Sequence, residues 1–217
     1  MGLAFSHKST GRVFAPEQLP VNSMSDPLLI VLLCALAYLA GSVLFALEIC
    51  KLWKLPDPRA LGSGNPGATN VYRNGGWAPA VLTLLLDAAK GFGPVWLANA
   101  AGLSILAQAM VALCAVTGHM VPIFYRFKGG KGVATALGSG LALAPLTTLL
   151  LAVIWALVMW RWRISALASI IAIVSGPLIS ALIEPKTLPL FGLLAILIVV
   201  RHRNNLVRLA QGRETRF

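Results

Sequence analysis

An all-α polytopic membrane protein is the fold class this sequence predicts. Three observations carry the prediction: long apolar runs, few charges, and cations confined to the short segments between the runs. The 217 residues are 58% hydrophobic and 12% charged, with a mean hydropathy of +0.80. A soluble domain carries about 25% charged residues. The net charge of +11 does not indicate nucleic acid, because 14 of the 18 Lys and Arg lie in residues 51–73, 126–131, 161–163 and 201–216. Cations placed there set membrane topology. Cys34, Cys50 and Cys114 sit in or beside apolar runs without ligand-like spacing, and read as small buried hydrophobes. No metal cluster is visible and no cofactor is expected.

Residues 1–23 are polar and mixed, without the apolar core of a signal peptide. They read as a dispensable extension ahead of Met24, and residues 24–217 as a single integral-membrane domain. A crossing helix needs roughly 20 apolar residues. Residues 27–50 supply the first, with only Glu48 charged near its end. Residues 77–100 supply the second, although Asp87 and Lys90 lie inside it, and residues 103–124 the third, with His119. Residues 133–160 are long for one helix and short for two, and Ala144-Pro145 falls near their middle. Proline disfavours helix at the residue before it. A single crossing would put basic segments 161–163 and 201–216 opposite the other two, whereas two crossings put all four on one side. The positive-inside rule selects two short helices. Spans at 164–183 and 188–200 follow, giving about seven transmembrane helices, the N-terminus outside and the C-terminus cytosolic.

Three polar strings interrupt the spans. Gly62 to Arg73 reads GSGNPGATNVYR. Gly62, Gly64 and Gly67 let the backbone bend, Ser63, Asn65, Thr69 and Asn70 offer hydrogen bonds, and Arg73 adds a cation, so the string is suited to wrap an anion. The second, Gly118 to Thr135, reads GHMVPIFYRFKGGKGVAT. Gly129, Gly130 and Gly132 can expose backbone N–H groups, while Lys128 and Lys131 supply charge for phosphate. A helix starting near Val133 would aim its positive end at the same anion. In the third string, RHRNNLVRLAQGRE, Arg201, Asn205 and Arg208 fall at helical spacing, and His202 and Asn205 are placed to point together. The predicted topology puts all three strings on the cytosolic side, where they would form one pocket. Asp87 and Lys90, three apart, read as an ion pair beside it.

Other patterns fail. Gly62, Gly64 and Gly67 match a dinucleotide fingerprint, but no strand precedes them. The GGKG run lacks the glycine and the Ser or Thr of a P-loop. No Ser-His-Asp set is visible, and no His has the nearby Asp of the soluble glycerolipid acyltransferases.

The three strings, together with LLDAAKG at Leu85–Gly91, closely resemble the signatures of the bacterial membrane glycerol-3-phosphate acyltransferases of the PlsY family, over about residues 27–214. The resemblance implies transfer of a fatty acyl group from acyl phosphate to the 1-hydroxyl of sn-glycerol 3-phosphate in the bacterial inner membrane. It implies lysophosphatidic acid and phosphate as products, no cofactor, and the bilayer and an acyl-phosphate-producing enzyme as partners. Carried over, Ser63 and Asn65 would bond a phosphate or the oxyanion. Thr69, Asn70 and Arg73 would hold one substrate, and Lys128 and Lys131 the acyl-phosphate headgroup. His202 and Asn205 would orient glycerol 3-phosphate, Arg208 would add charge, and Glu214 would brace an arginine. The base would be His202 or the substrate's own phosphate. An anion transporter and a lipid-binding scaffold are the competing readings; the first is disfavoured by the absence of an internal repeat, the second by the Gly/Asn/Ser pattern.

Overall fold

The computed structural model describes residues 27–216, and these contain helices and turns but no strand. The dispensable extension expected at residues 1–23 lies outside the described residues. The helices are α1 (Pro27–Ser42), α2 (Phe45–Leu52), α3 (Ala68–Gly75), α4 (Trp77–Ala100), α5 (Ile105–Met120), α6 (Val133–Leu143), α7 (Pro145–Trp162), α8 (Ser165–Ile183), α9 (Leu188–Arg201) and α10 (Arg203–Ala210).

Four segments are long and apolar enough to cross a membrane: Trp77–Ala100, Ile105–Tyr125, Pro145–Trp162 and Ser165–Ile183. Two bent pairs, α1 with α2 and the segment ending in α9 with α10, bring the number to six. Helix α6 is a seventh apolar helix, but its 11 residues reach only about 16 Å at the α-helical rise. The expected division of 133–160 therefore occurs, at Ala144, into one very short helix and one of 18 residues. Pro145 stands at the start of α7, where its missing N–H costs no hydrogen bond.

The first span is not the continuous helix expected over 27–50. It breaks at Val43–Leu44 and bends by 40°. Ser42 Oγ turns back to donate to the Tyr38 carbonyl at 2.8 Å, and Lys90 of α4 donates to the Val43 carbonyl at the break. An ammonium thus satisfies backbone that the interrupted helix leaves open.

Backbone proximity packs the bundle. A Cβ on Gly138 would lie 1.8 Å from the Ala88 carbonyl oxygen, and one on Gly91 would lie 2.1 Å from that of Thr135. This seats α6 directly on α4. Gly41 and Gly118 do the same between α1 and α5, where added Cβ atoms would lie 2.1 Å from Ala115 O and 2.2 Å from Tyr38 O. Small residues at such crossings are how membrane helices gain van der Waals contact. Large apolar side chains such as Leu85, Trp96, Leu157 and Leu182 stay exposed on the outside of the bundle, as hydrocarbon permits.

The α6–α7 and α8–α9 turns lie at one end of the bundle and are tied together. Glu184 Oε2 accepts from Thr147 N at 2.9 Å, and the Ser180 and Thr187 hydroxyls meet at 2.8 Å. The three polar strings gather at the other end.

Candidate active site

The first string turns through Gly62 and Gly64, with φ of 57° and 67°, and enters α3 at Ala68. Thr69, Asn70 and Arg73, expected in a loop, therefore stand on a helix. Asn70 is buried at 1% exposure. Its side-chain nitrogen donates to Pro58 O at 2.6 Å and Leu61 O at 3.0 Å, and its oxygen accepts from Ser63 N at 3.2 Å. It spends its amide on holding the loop. Ser63 Oγ accepts from Asn65 N at 3.4 Å. Thr69 faces Ser165 at the start of α8, hydroxyl to hydroxyl at 3.0 Å. Arg73 donates to Thr215 O at 3.1 Å, tying α3 to the C-terminal segment.

The second string folds against His119. Gly130 N donates to His119 O at 3.0 Å. A Cβ on Gly130 would lie 2.2 Å from the imidazole Nε2, and one on Gly129 would lie 2.1 Å from His119 O. These two glycines admit the histidine, rather than a ligand. Their carbonyls accept from the Arg201 guanidinium at 2.8 to 3.1 Å. Behind His119 the expected ion pair is present: Lys90 Nζ is 2.7 Å from Asp87 Oδ1 and 2.9 Å from His119 Nδ1, and all three residues are buried. The outcome of this stack is the placement of Lys131, which lines the cavity described below. Lys128 does not: it is exposed. Burial pushes the Lys131 ammonium down to about 8, with nearby Glu214 acting to hold its proton and Arg208, Arg73 and Arg201 opposing it.

In the third string, α9 ends at Arg201 and α10 sets off after a 62° bend. Arg201 therefore does not share a face with Asn205 and Arg208, contrary to the helical spacing. His202, 1% exposed, occupies the bend. Its Nδ1 lies 2.7 Å from Ile198 O. A carbonyl only accepts, so Nδ1 carries the hydrogen and Nε2 is left as an acceptor. Burial first, and nearby Lys131 second, push this imidazole down to about 4, so it is neutral near pH 7. Asn205 and Arg208 both donate to Glu214, at 2.9 and 2.8 Å, so Glu214 braces an arginine as expected and orients Asn205 as well.

One cavity of about 250 Å³ gathers Ser63, Asn65, Thr69, Arg73, Lys131, His202, Asn205 and Glu214. Gly62, Gly64, Lys90, Lys128, Gly129, Gly130 and Arg208 do not line it, whereas Gly67, Asn70, Asp87, His119 and Gly132 do. The first residues of α3, α6 and α8 all border it, so three helix N-termini converge on the same space. Their unpaired N–H groups and dipoles favour anions. Beneath this polar mouth the wall turns apolar, with Leu84, Leu137, Leu151, Trp155, Ile173, Phe191 and Leu194. The arrangement can hold two anionic groups above an apolar chain. Sequence reasoning missed Ser165 and Trp155. Ser165 was visible as a hydroxyl directly after the basic turn at Arg161 and Arg163; Trp155, whose Nε1 donates to Ser169 Oγ at 3.1 Å, lay unmarked in an apolar run.

Comparison with known proteins gives a consistent result. A family model described as glycerol-3-phosphate acyltransferase matches residues 31–212. The glycerol-3-phosphate acyltransferase of Hahella chejuensis is 49% identical over 191 residues, covering 88% of this chain and 98% of that protein. That of Neisseria meningitidis serogroup C is 48% identical over 189 residues, covering 84% and 94%. Among solved structures, the glycerol 3-phosphate form of PlsY, an integral membrane glycerol 3-phosphate acyltransferase, superposes with a TM-score of 0.82 at 41% identity, covering 87% of this chain and 95% of that one. Its lysophosphatidic acid form gives 0.80 at 40% identity, with the same coverage.

Proposed function

The chain belongs to the glycerol-3-phosphate acyltransferase family, and we propose that its acyl donor is acyl phosphate. It is an integral membrane acyltransferase that makes lysophosphatidic acid from glycerol 3-phosphate. In the proposed reaction the 1-hydroxyl oxygen attacks the acyl carbonyl carbon. The carbonyl electrons move onto oxygen, then return as the bond to phosphate breaks. The hydroxyl proton leaves with inorganic phosphate. Acyl phosphate is a mixed anhydride with a good leaving group, so the protein's task is to bring two anions together and to stabilise the oxyanion.

The observation that carries this reading is the convergence of three helix N-termini with Lys131 and Arg73 over an apolar well. Two phosphates need that much positive potential, and a fatty chain needs the well. A thioester donor would bring no phosphate to the reacting carbon and would leave part of this charge unused.

Catalysis here rests on positioning. A base works best with a pKa near the operating pH, and His202 at about 4 is a weak one. Its free Nε2 accepts the hydroxyl hydrogen bond and aims the oxygen, while a substrate phosphate, with a second pKa of about 6, takes the proton. Ser63 and Asn65 supply donors at the mouth. The site opens to the cytosol, on the side bearing most of the cations, and the membrane is the bacterial inner membrane.

Donor competition tests the reading. Purified protein with labelled glycerol 3-phosphate should form lysophosphatidic acid from palmitoyl phosphate and far less from palmitoyl-CoA. A preference for the thioester would exclude it.

A further inference from the structure

The floor of the apolar well bears on which acyl groups are accepted, an inference that rests on reading the cavity as the acyl-donor site. The lining descends at helical spacing through Ser165, Ser169 and Ile173 on α8, and through His202, Ile198 and Phe191 across the bend into α9. At the α-helical rise, Phe191 lies about 16 Å below His202. Thr148 and Phe191, each in the first turn of its helix, are the deepest lining positions; neither residues 176–187 nor Ala144 lines the space.

What lies underneath is closely packed. Phe191, 2% exposed, packs with Leu151 and with Ala144 at the α6–α7 turn. A Cβ on Gly176 would lie 3.2 Å from the Phe191 ring and 3.4 Å from Leu151, so the ring is seated on bare backbone. The Thr147–Glu184 hydrogen bond clamps the two turns below it. The mouth is held as well, with Lys131 and His202 placed by the contacts described above. A well with an anchored mouth and a tightly packed floor measures length.

We propose that Phe191, seated on Gly176 and Leu151, is the stop that limits acyl-chain length. A chain that outruns the floor must bend out of the well or lift its carbonyl from the mouth. A chain that falls short leaves apolar surface unfilled, at about a fourfold loss for each methylene left unburied.

The test uses purified protein in nanodiscs with acyl phosphates of graded length, and reads kcat/KM for lysophosphatidate formation. Phe191→Ala should move the optimum to longer chains. Ala172→Phe, part-way up the lining, should move it to shorter ones, each by about fourfold per methylene of changed burial. Turnover with the shortest donor reports that each variant is folded. An unchanged optimum in both folded variants would overturn the proposal. A wild-type protein that transfers from no acyl phosphate of any length would overturn both this inference and the donor assignment beneath it.

Discussion

The hydroxyls of Thr69 and Ser165 meet at 3.0 Å although 96 positions separate them in the chain. The contact joins the N-terminal ends of α3 and α8, both of which border the cavity. One hydroxyl donates to the other, so the pair keeps one O–H hydrogen to offer to the cavity that the two helix dipoles border.

Ser165→Ala breaks this hydroxyl pair without opening a large void. A hydrogen bond to a charged group contributes about 1.5–3 kcal/mol, so KM for an anionic substrate should rise on the order of tenfold or more. Steady-state kinetics in both substrates checks this, and the affected substrate shows which phosphate the α3–α8 pair holds.

Lys131 gives the site a pH limit. In the proposed reaction it holds an anion, which it can do only while protonated, and burial puts that proton's loss at about 8. KM should therefore be flat below roughly pH 7 and rise toward tenfold per pH unit above about 8. Bound phosphate raises the value, so kcat should break at higher pH than kcat/KM. Arginine stays charged throughout, so Lys131→Arg should remove the rise. A pH series of initial rates for both proteins decides it.

The pair formed by Asp87 and Lys90 is buried, with side chains 2% and 4% exposed. Asp87→Ala strands an ammonium in the bundle and should cost about 3–5 kcal/mol. Replacing both by leucine should recover part of that, although the Val43 carbonyl and His119 lose their donor. Unfolding midpoints in detergent for the single and double variants measure the difference.

Much of this was legible in the chain. Apolar length marked the spans, Pro145 marked the α6–α7 break, and spacing three apart marked the Asp87–Lys90 pair. The three polar strings do meet in one cavity. What was not legible depended on contacts between distant segments. Nothing local to Gly129 and Gly130 shows that they face His119 rather than a ligand, or that Lys128 points away while Lys131 points in. Helical spacing placed Arg201 with Asn205 because it cannot register the bend at His202. The break at Val43 rests on an ammonium from another helix, and the pairing of Ser165 with Thr69 on the packing of two helix ends.

Glu214 tests the positioning of Asn205. Its carboxylate accepts from Asn205 and Arg208 and sits near Lys131. Glu214→Ala should free Asn205 and lower kcat by about tenfold or more, since an unpaired buried donor costs 1–3 kcal/mol. It should also move the alkaline rise in KM to lower pH, because Lys131 loses a neighbouring carboxylate that holds its proton. Glu214→Gln keeps an acceptor for Asn205, so it should recover kcat while leaving the pH break displaced. Rate profiles of the two variants separate orientation from charge.

The central claim is that one cavity transfers an acyl group between two phosphate-bearing molecules. Its most direct measurement is product stoichiometry with purified protein, palmitoyl phosphate and labelled glycerol 3-phosphate. The account predicts lysophosphatidic acid and inorganic phosphate in equal amounts, both abolished together by Lys131→Ala. Phosphate release without acylated product, or lysophosphatidic acid formed undiminished by the Lys131→Ala protein, would contradict it.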